Sequence, residues 1–154
     1  MGLLEGKKAL ITGVANERSI AYGIAKAFHR EGAELAFTYA NDKLKKRVEE
    51  IAQELGSKLT FECDVSKDEH IKGLYEWLSK TWGSLDIIVH SIAYAPKEEF
   101  KGGVIDTSRE GHTAQKFSFL VFSKDFLLYL LLPSKYTHYV VAIVHMYDFS
   151  RYGP

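Results

Sequence analysis

The chain has 154 residues, enough for one domain that buries about 70 % of its unfolded surface. Twenty basic and twenty acidic residues cancel, so nothing in the charge balance points to nucleic acid or to an anionic membrane surface. The single cysteine, Cys63, excludes an intramolecular disulfide and fits a reducing, cytoplasmic compartment; the first eight residues lack the apolar core of a signal peptide.

Strand-like and helix-like patterns alternate up to about residue 95, which predicts parallel βαβ units. Lys8–Thr12 reads as a strand. Ser19–Glu31 reads as a helix with Ile20, Ile24 and Phe28 on one face, ended by Gly32. Glu34–Tyr39 is the second strand. Asp42–Leu55 is a helix with Leu44, Val48, Ile51 and Leu55 aligned, stopped by Gly56. Leu59–Val65 is the third strand. Ser66 and Glu69 have the spacing of a capping box for a helix bearing Ile71, Leu74, Leu78 and Trp82, which Gly83 closes. Leu85–Ala93 is a nearly continuous apolar run, as befits a strand buried on both faces. The expected fold class is α/β: the N-terminal part of a Rossmann-like, doubly wound parallel sheet of strand order 3-2-1-4.

The junction between the first strand and first helix carries the strongest chemical signal. Gly13 lets the backbone leave the strand sharply, and the space beside it suits a phosphate. Ser19 is a good N-cap, so free N–H groups of the following turn would face a pyrophosphate. Gly23 is expected to remove a side chain where helix and strand would otherwise collide. The spacing is not a literal G-x-G-x-x-G, and a plain β–α turn is the competing reading from this segment alone.

Residues 1–111 resemble the NADH-dependent enoyl-acyl-carrier-protein reductases, a branch of the short-chain dehydrogenase/reductase superfamily. The resemblance rests on Thr12-Gly13-Val14-Ala15, Ser19-Ile20-Ala21-Tyr22-Gly23, Cys63-Asp64-Val65 and His90-Ser91-Ile92-Ala93. It implies that Gly13, Ser19 and Ile20 form the diphosphate turn and that Asp64 and Val65 meet the adenine. Without the resemblance, Asp64 reads as a loop-capping residue. It further implies that Ser91, Ile92 and Ala93 border the nicotinamide ribose, and that Ala95 stands at the mouth of the substrate cleft.

The implied cofactor is NAD, as NADH. The end of the second strand reads Tyr39, Ala40, Asn41, with no carboxylate for a ribose 2′-hydroxyl. Ala40 stands where many members of the family have glutamine. Lys43 and Lys45 could meet a 2′-phosphate but read as a solvated helix face, so NADH rests on the resemblance alone. The implied reaction is hydride transfer to the β-carbon of an enoyl thioester on acyl carrier protein, a step of fatty-acid biosynthesis.

The character of the chain changes at residues 112–154. Acids fall to Asp125 and Asp148, while Phe117, Phe119, Phe122, Phe126, Tyr129 and further tyrosines crowd in. This divergent tail is what a reading-frame shift or splice would produce. Residues 117–132 approach a membrane helix but are too short and carry Lys124 and Asp125, so a buried or aggregation-prone helix is expected there and no membrane span. Residues 139–147 have strand character through Val140, Val141, Ile143 and Val144.

The family's catalytic Tyr-x6-Lys has no counterpart in this tail. Tyr129 and Lys135 are one residue short of the spacing, and Pro133 interrupts the segment between them. Tyr147 lies near where the family's first tyrosine would fall. No catalytic residue is therefore assigned. His90 reads as packed, and His112, His138 and His145 show no metal-ligand spacing, so no metal is expected. The leading expectation is a truncated reductase-like chain that keeps the cofactor half and lacks turnover. The alternatives are a non-catalytic dinucleotide-binding or interaction module, with the apolar tail leaving homo-oligomerisation open, and an unstable fragment with an unpaired fourth strand.

Overall fold

The computed structural model describes residues 2–92 and the backbone of 140–143. Five strands and three helices follow in the order β1 (Lys8–Thr12), α1 (Ile20–Arg30), β2 (Glu34–Tyr39), α2 (Asp42–Glu54), β3 (Thr60–Glu62), α3 (Asp68–Thr81), β4 (Ile87–His90) and β5 (Val140–Ile143). The strands form one sheet of order β3-β2-β1-β4-β5, and every pairing is parallel. The expected 3-2-1-4 arrangement is present, with β5 added beside β4.

The apolar runs of the strands divide by alternation between two cores, as the two-residue period of a strand requires. Ala9, Ile11, Leu35, Phe37, Ile87 and Val89 face one side and meet α1 and α2 through Ala21, Ala25, Val48, Ile51 and Ala52. Leu10, Ala36 and Ile88 face the other side and meet α3 through Ile71, Leu74 and Leu78. Phe61 and Trp77 extend this second core with tilted rings whose centroids lie 5.2 Å apart.

Three local expectations are corrected. On α1 the fully buried residues are Ala21 and Ala25, with Ile24 and Phe28 only partly buried beside them, while Ile20 is 39 % exposed. Two alanines let the helix axis approach the sheet closely, which leaves Ile20 free at its start. Gly23 is exposed, and a Cβ there would meet nothing among the described residues, so it removes no collision.

The Ser66/Glu69 capping box does not form. The N-cap of α3 is Lys67, without a side-chain cap bond, because the Ser66 hydroxyl donates instead to Asp64 Oδ1 at 2.7 Å. An aspartate two residues upstream competes successfully for the serine.

β3 and β4 are shorter than the apolar runs that predicted them, although single hydrogen bonds extend their ladders. Phe37 N donates to Leu59 O, Cys63 N to Tyr39 O and Asp86 N to Lys8 O, at 2.8, 2.8 and 3.0 Å. β5 falls inside the stretch expected to be a strand. Its register, Ile87↔Val140 to His90↔Ile143, makes β4 an interior strand, so the expected unpaired edge of β4 is absent. The helix expected over 117–132, the substrate-mouth residue Ala95, Ala93 and Tyr147 lie outside the described residues.

Candidate functional site at the carboxyl edge of the sheet

In an open parallel sheet the strand ends and helix starts converge on the carboxyl edge, where ligands bind. Gly13 follows β1, Ala40 follows β2, Asp64 and Val65 follow β3, and Ser91 and Ile92 follow β4. The register Thr12↔His90 sets the turns after β1 and β4 side by side. Thr12 reinforces this by donating its buried hydroxyl to Val89 O at 3.0 Å.

Gly13 is essential to this edge for a reason different from the expected one. Its φ is +81°, and a Cβ there would collide with the carbonyl of Ser91. The space that a side chain would fill is therefore occupied by the β4 turn, rather than reserved for a phosphate. Glycine brings two strand ends into contact.

The chain then climbs through Val14 and Ala15 to a turn held by Asn16. Asn16 Oδ1 accepts from Arg18 N at 2.8 Å, and Ser19 Oγ donates to Asn16 O at 2.7 Å. Ser19 has extended φ,ψ of −70° and 146°, and its Oγ accepts from Tyr22 N at 3.3 Å, as expected of an N-cap. Helix geometry leaves the N–H groups of Ile20 and Ala21 without intrahelical acceptors at this positive helix end. The half-exposed Ile20 side chain stands beside them. Together these offer main-chain amides without intrahelical partners and an apolar side chain beside them.

At the end of β2, Tyr39 packs on the first core, and burial raises its phenol above the usual value. Ala40 is exposed. Asn41 is committed to capping α2, its Oδ1 accepting from Lys43 N at 3.1 Å. Lys43 and Lys45 are exposed, in keeping with a solvated face.

Past β3, Cys63 is buried, and desolvation pushes its thiol up to about 12, so it is inert as a nucleophile near neutral pH. Asp64 does cap the loop. Its Oδ1 accepts from Ser66 Oγ and Ser66 N, which hold the carboxyl below its ordinary value, while Oδ2 lies 3.9 Å from Lys67 Nζ. Asp64 thus remains ionised and retains acceptor capacity on Oδ2. Val65 packs on the second core. One contributor went unnoticed in the sequence: His70 on α3, whose Nδ1 accepts from Asp64 N at 3.2 Å.

Tyrosine–lysine pairs at the superfamily's spacings do occur before residue 112, namely Tyr22/Lys26, Tyr39/Lys43, Tyr39/Lys46 and Tyr94/Lys101, the last of which lies outside the described residues. Among the described residues, none stands at the end of β4. Tyr22 OH donates to Glu54 Oε1 at 2.8 Å, and this bond raises its pKa, opposite to what proton donation near neutrality would require. Lys46 lies 3.9 Å from Glu50. His90 is buried, consistent with a packed role.

Strand order, crossover helices and a glycine-turned, serine-capped first helix define a Rossmann-like α/β unit with its candidate site at the carboxyl edge. A family model described as enoyl-(acyl carrier protein) reductase matches residues 13–121. The chain belongs to this family.

Among curated relatives, the NADH-type enoyl-(acyl-carrier-protein) reductase FabI of Aquifex aeolicus is 79 % identical over 111 residues, covering 72 % of this chain and 41 % of that protein. FabI of Escherichia coli is 50 % identical over 129 residues, covering 80 % and 49 %. The crystal structure of the Aquifex aeolicus NADH reductase superposes with a TM-score of 0.75 at 68 % identity, over 82 % of this chain and 56 % of that one. The enzyme of Anaplasma phagocytophilum, solved in complex with NAD, superposes at 0.72 with 44 % identity, over 80 % and 48 %. The chain thus spans about half the length of the relatives it matches. The family match runs ten residues past the boundary expected at residue 111.

Proposed function

We propose that this chain carries the NADH-binding half of an enoyl-acyl-carrier-protein reductase. The observation that carries the reading is the closure of the β1 and β4 turns at Gly13 and Ser91, beside the Ser19-capped start of α1. In this reading the diphosphate lies against the Ile20 and Ala21 amides, with Ile20 covering it. Asp64 Oδ2 accepts from the adenine amine, and Val65 and Ala40 border the ring. Ser91 and Ile92 border the nicotinamide ribose. The absence of a carboxylate at residues 39–41 leaves the choice of NADH to the relatives, which are named for it.

Bound NADH would supply the hydride, and the family's substrate would be an enoyl thioester on acyl carrier protein. The residues described hold and orient the cofactor, and none stands as a proton donor at the end of β4. The proposal is therefore one of cofactor binding, with no proton donor assigned among the described residues. The pairing of β5 on β4 favours a folded binding module over an unstable fragment.

The test is calorimetric titration of the chain with NADH, with Ile20→Asp as control. Residue 20 is exposed at the first helical position, where an acidic residue suits the helix dipole, so the fold is preserved while the added charge repels a diphosphate. Gly13→Asp would not isolate binding, because it breaks the contact with Ser91.

A further inference from the structure

Four hydrogen bonds shape the turn after β3, and they differ in reach. Ser66 N and Oγ donate to Asp64 Oδ1, and Lys67 N donates to Asp64 O at 3.0 Å. These stay within four residues and fix the turn's internal shape. The Asp64 N–H instead donates to Nδ1 of His70, six residues on and within the first turn of α3. That bond ties the turn to the helix, and so sets where the Asp64 carboxylate stands relative to the sheet edge.

We propose that His70 is a positioning residue for adenine recognition, acting through the main chain of Asp64. The inference rests on the cofactor reading above and adds a residue to it. In this bond Nδ1 acts as the acceptor, its lone pair directed at the Asp64 amide. α3 is anchored by Ile71, Leu74 and Leu78 in the second core, which makes it a rigid support for that acceptor. The helix lacks a side-chain N-cap, so the His70 ring is the side chain that couples its first turn to the preceding loop. Cys63, adjacent to Asp64, is already fixed to β2 through Tyr39 O. The His70 bond extends that fixation by one residue, to the carboxylate that would meet the adenine amine.

The experiment uses the full 154-residue chain and two probes, NADH and reduced nicotinamide hypoxanthine dinucleotide, which lacks the exocyclic amine. His70→Ala removes the acceptor. His70→Asn restores one, because Asn Oδ1 stands the same number of bonds from Cα as His Nδ1. The expected result is about tenfold weaker NADH binding for His70→Ala, corresponding to one hydrogen bond. His70→Asn should bind within about twofold of the unsubstituted chain. Affinity for the hypoxanthine analogue should change little in either variant, because the contact that His70 positions is missing there.

Equal losses for both probes, or no recovery with asparagine, would make His70 merely structural and overturn the inference. Unchanged NADH affinity in His70→Ala would overturn it as well. Failure of the unsubstituted, folded chain to bind NADH would overturn the cofactor reading and this inference with it. The two failures are therefore distinguishable.

Discussion

The two edges of the sheet are built by different means. At the amino edge, side chains knit β1 to β4. Lys8 Nζ donates to Trp82 O and Ser84 Oγ at 3.0 and 3.3 Å, and Asp86 accepts from Lys8 N and Lys7 Nζ at 3.0 and 3.1 Å. Burial alone would raise the Asp86 carboxyl, but these donors outweigh it and hold it below the ordinary value. At the carboxyl edge the same two strands meet through backbone, with Gly13 against Ser91 and one threonine hydroxyl between them. Polar side chains are consumed where stability is needed, and main-chain N–H groups are left available where a ligand would sit. The difference teaches where substitutions should act on the fold and where on binding.

The largest effect is expected where geometry itself is at stake. Gly13→Ala forces a side chain into a left-handed residue against a carbonyl, at a cost of about 3 kcal/mol. Chemical denaturation should show that loss even without ligand. Next, Asp86→Ala should cost about 1–2 kcal/mol by leaving the Lys8 amide short of its acceptor. Its NADH affinity should stay within about twofold, since the proposed site lies at the opposite edge of the sheet.

Ser19→Ala joins the two properties. Loss of the N-cap should cost about 1 kcal/mol in denaturation and weaken NADH severalfold in titration. A loss of stability without any loss of affinity would break the division between edges. The smallest effect runs the other way. Gly23→Ala should stabilise the chain by about 0.5–1 kcal/mol, since the position is open and glycine is a poor helix former. A destabilised variant would mean that the position is packed after all.

Much of this architecture was legible because periodicity survives burial. β1 and β2 match their sequence expectation, and α2 differs only in that Leu55 is its C-cap. What misled was local chemistry with more than one solution. Ser66 could cap α3 or bond Asp64, and spacing alone cannot rank the two. Ile20 shares a helical stripe with Ile24 and Phe28, yet Ala21 and Ala25 let the helix sit so that Ile20 opens outward.

In the candidate site, Gly13 was legible as a turn glycine, but the Ser91 carbonyl that excludes its side chain comes from the turn after β4, 78 positions later in the chain. His70 carried no motif at all, because its reach to Asp64 exists only once the turn and helix are folded. β5 was visible as a run of Val140, Val141 and Ile143, though its partner was not.

The most direct test is calorimetric titration of the 154-residue chain with NADH, beside Ile20→Asp. Saturable one-to-one binding in the unsubstituted chain, lost in a variant of unchanged circular dichroism, is the predicted result. A folded chain that does not saturate, or an Ile20→Asp variant that binds equally well, would contradict the assignment of the carboxyl edge as a dinucleotide site.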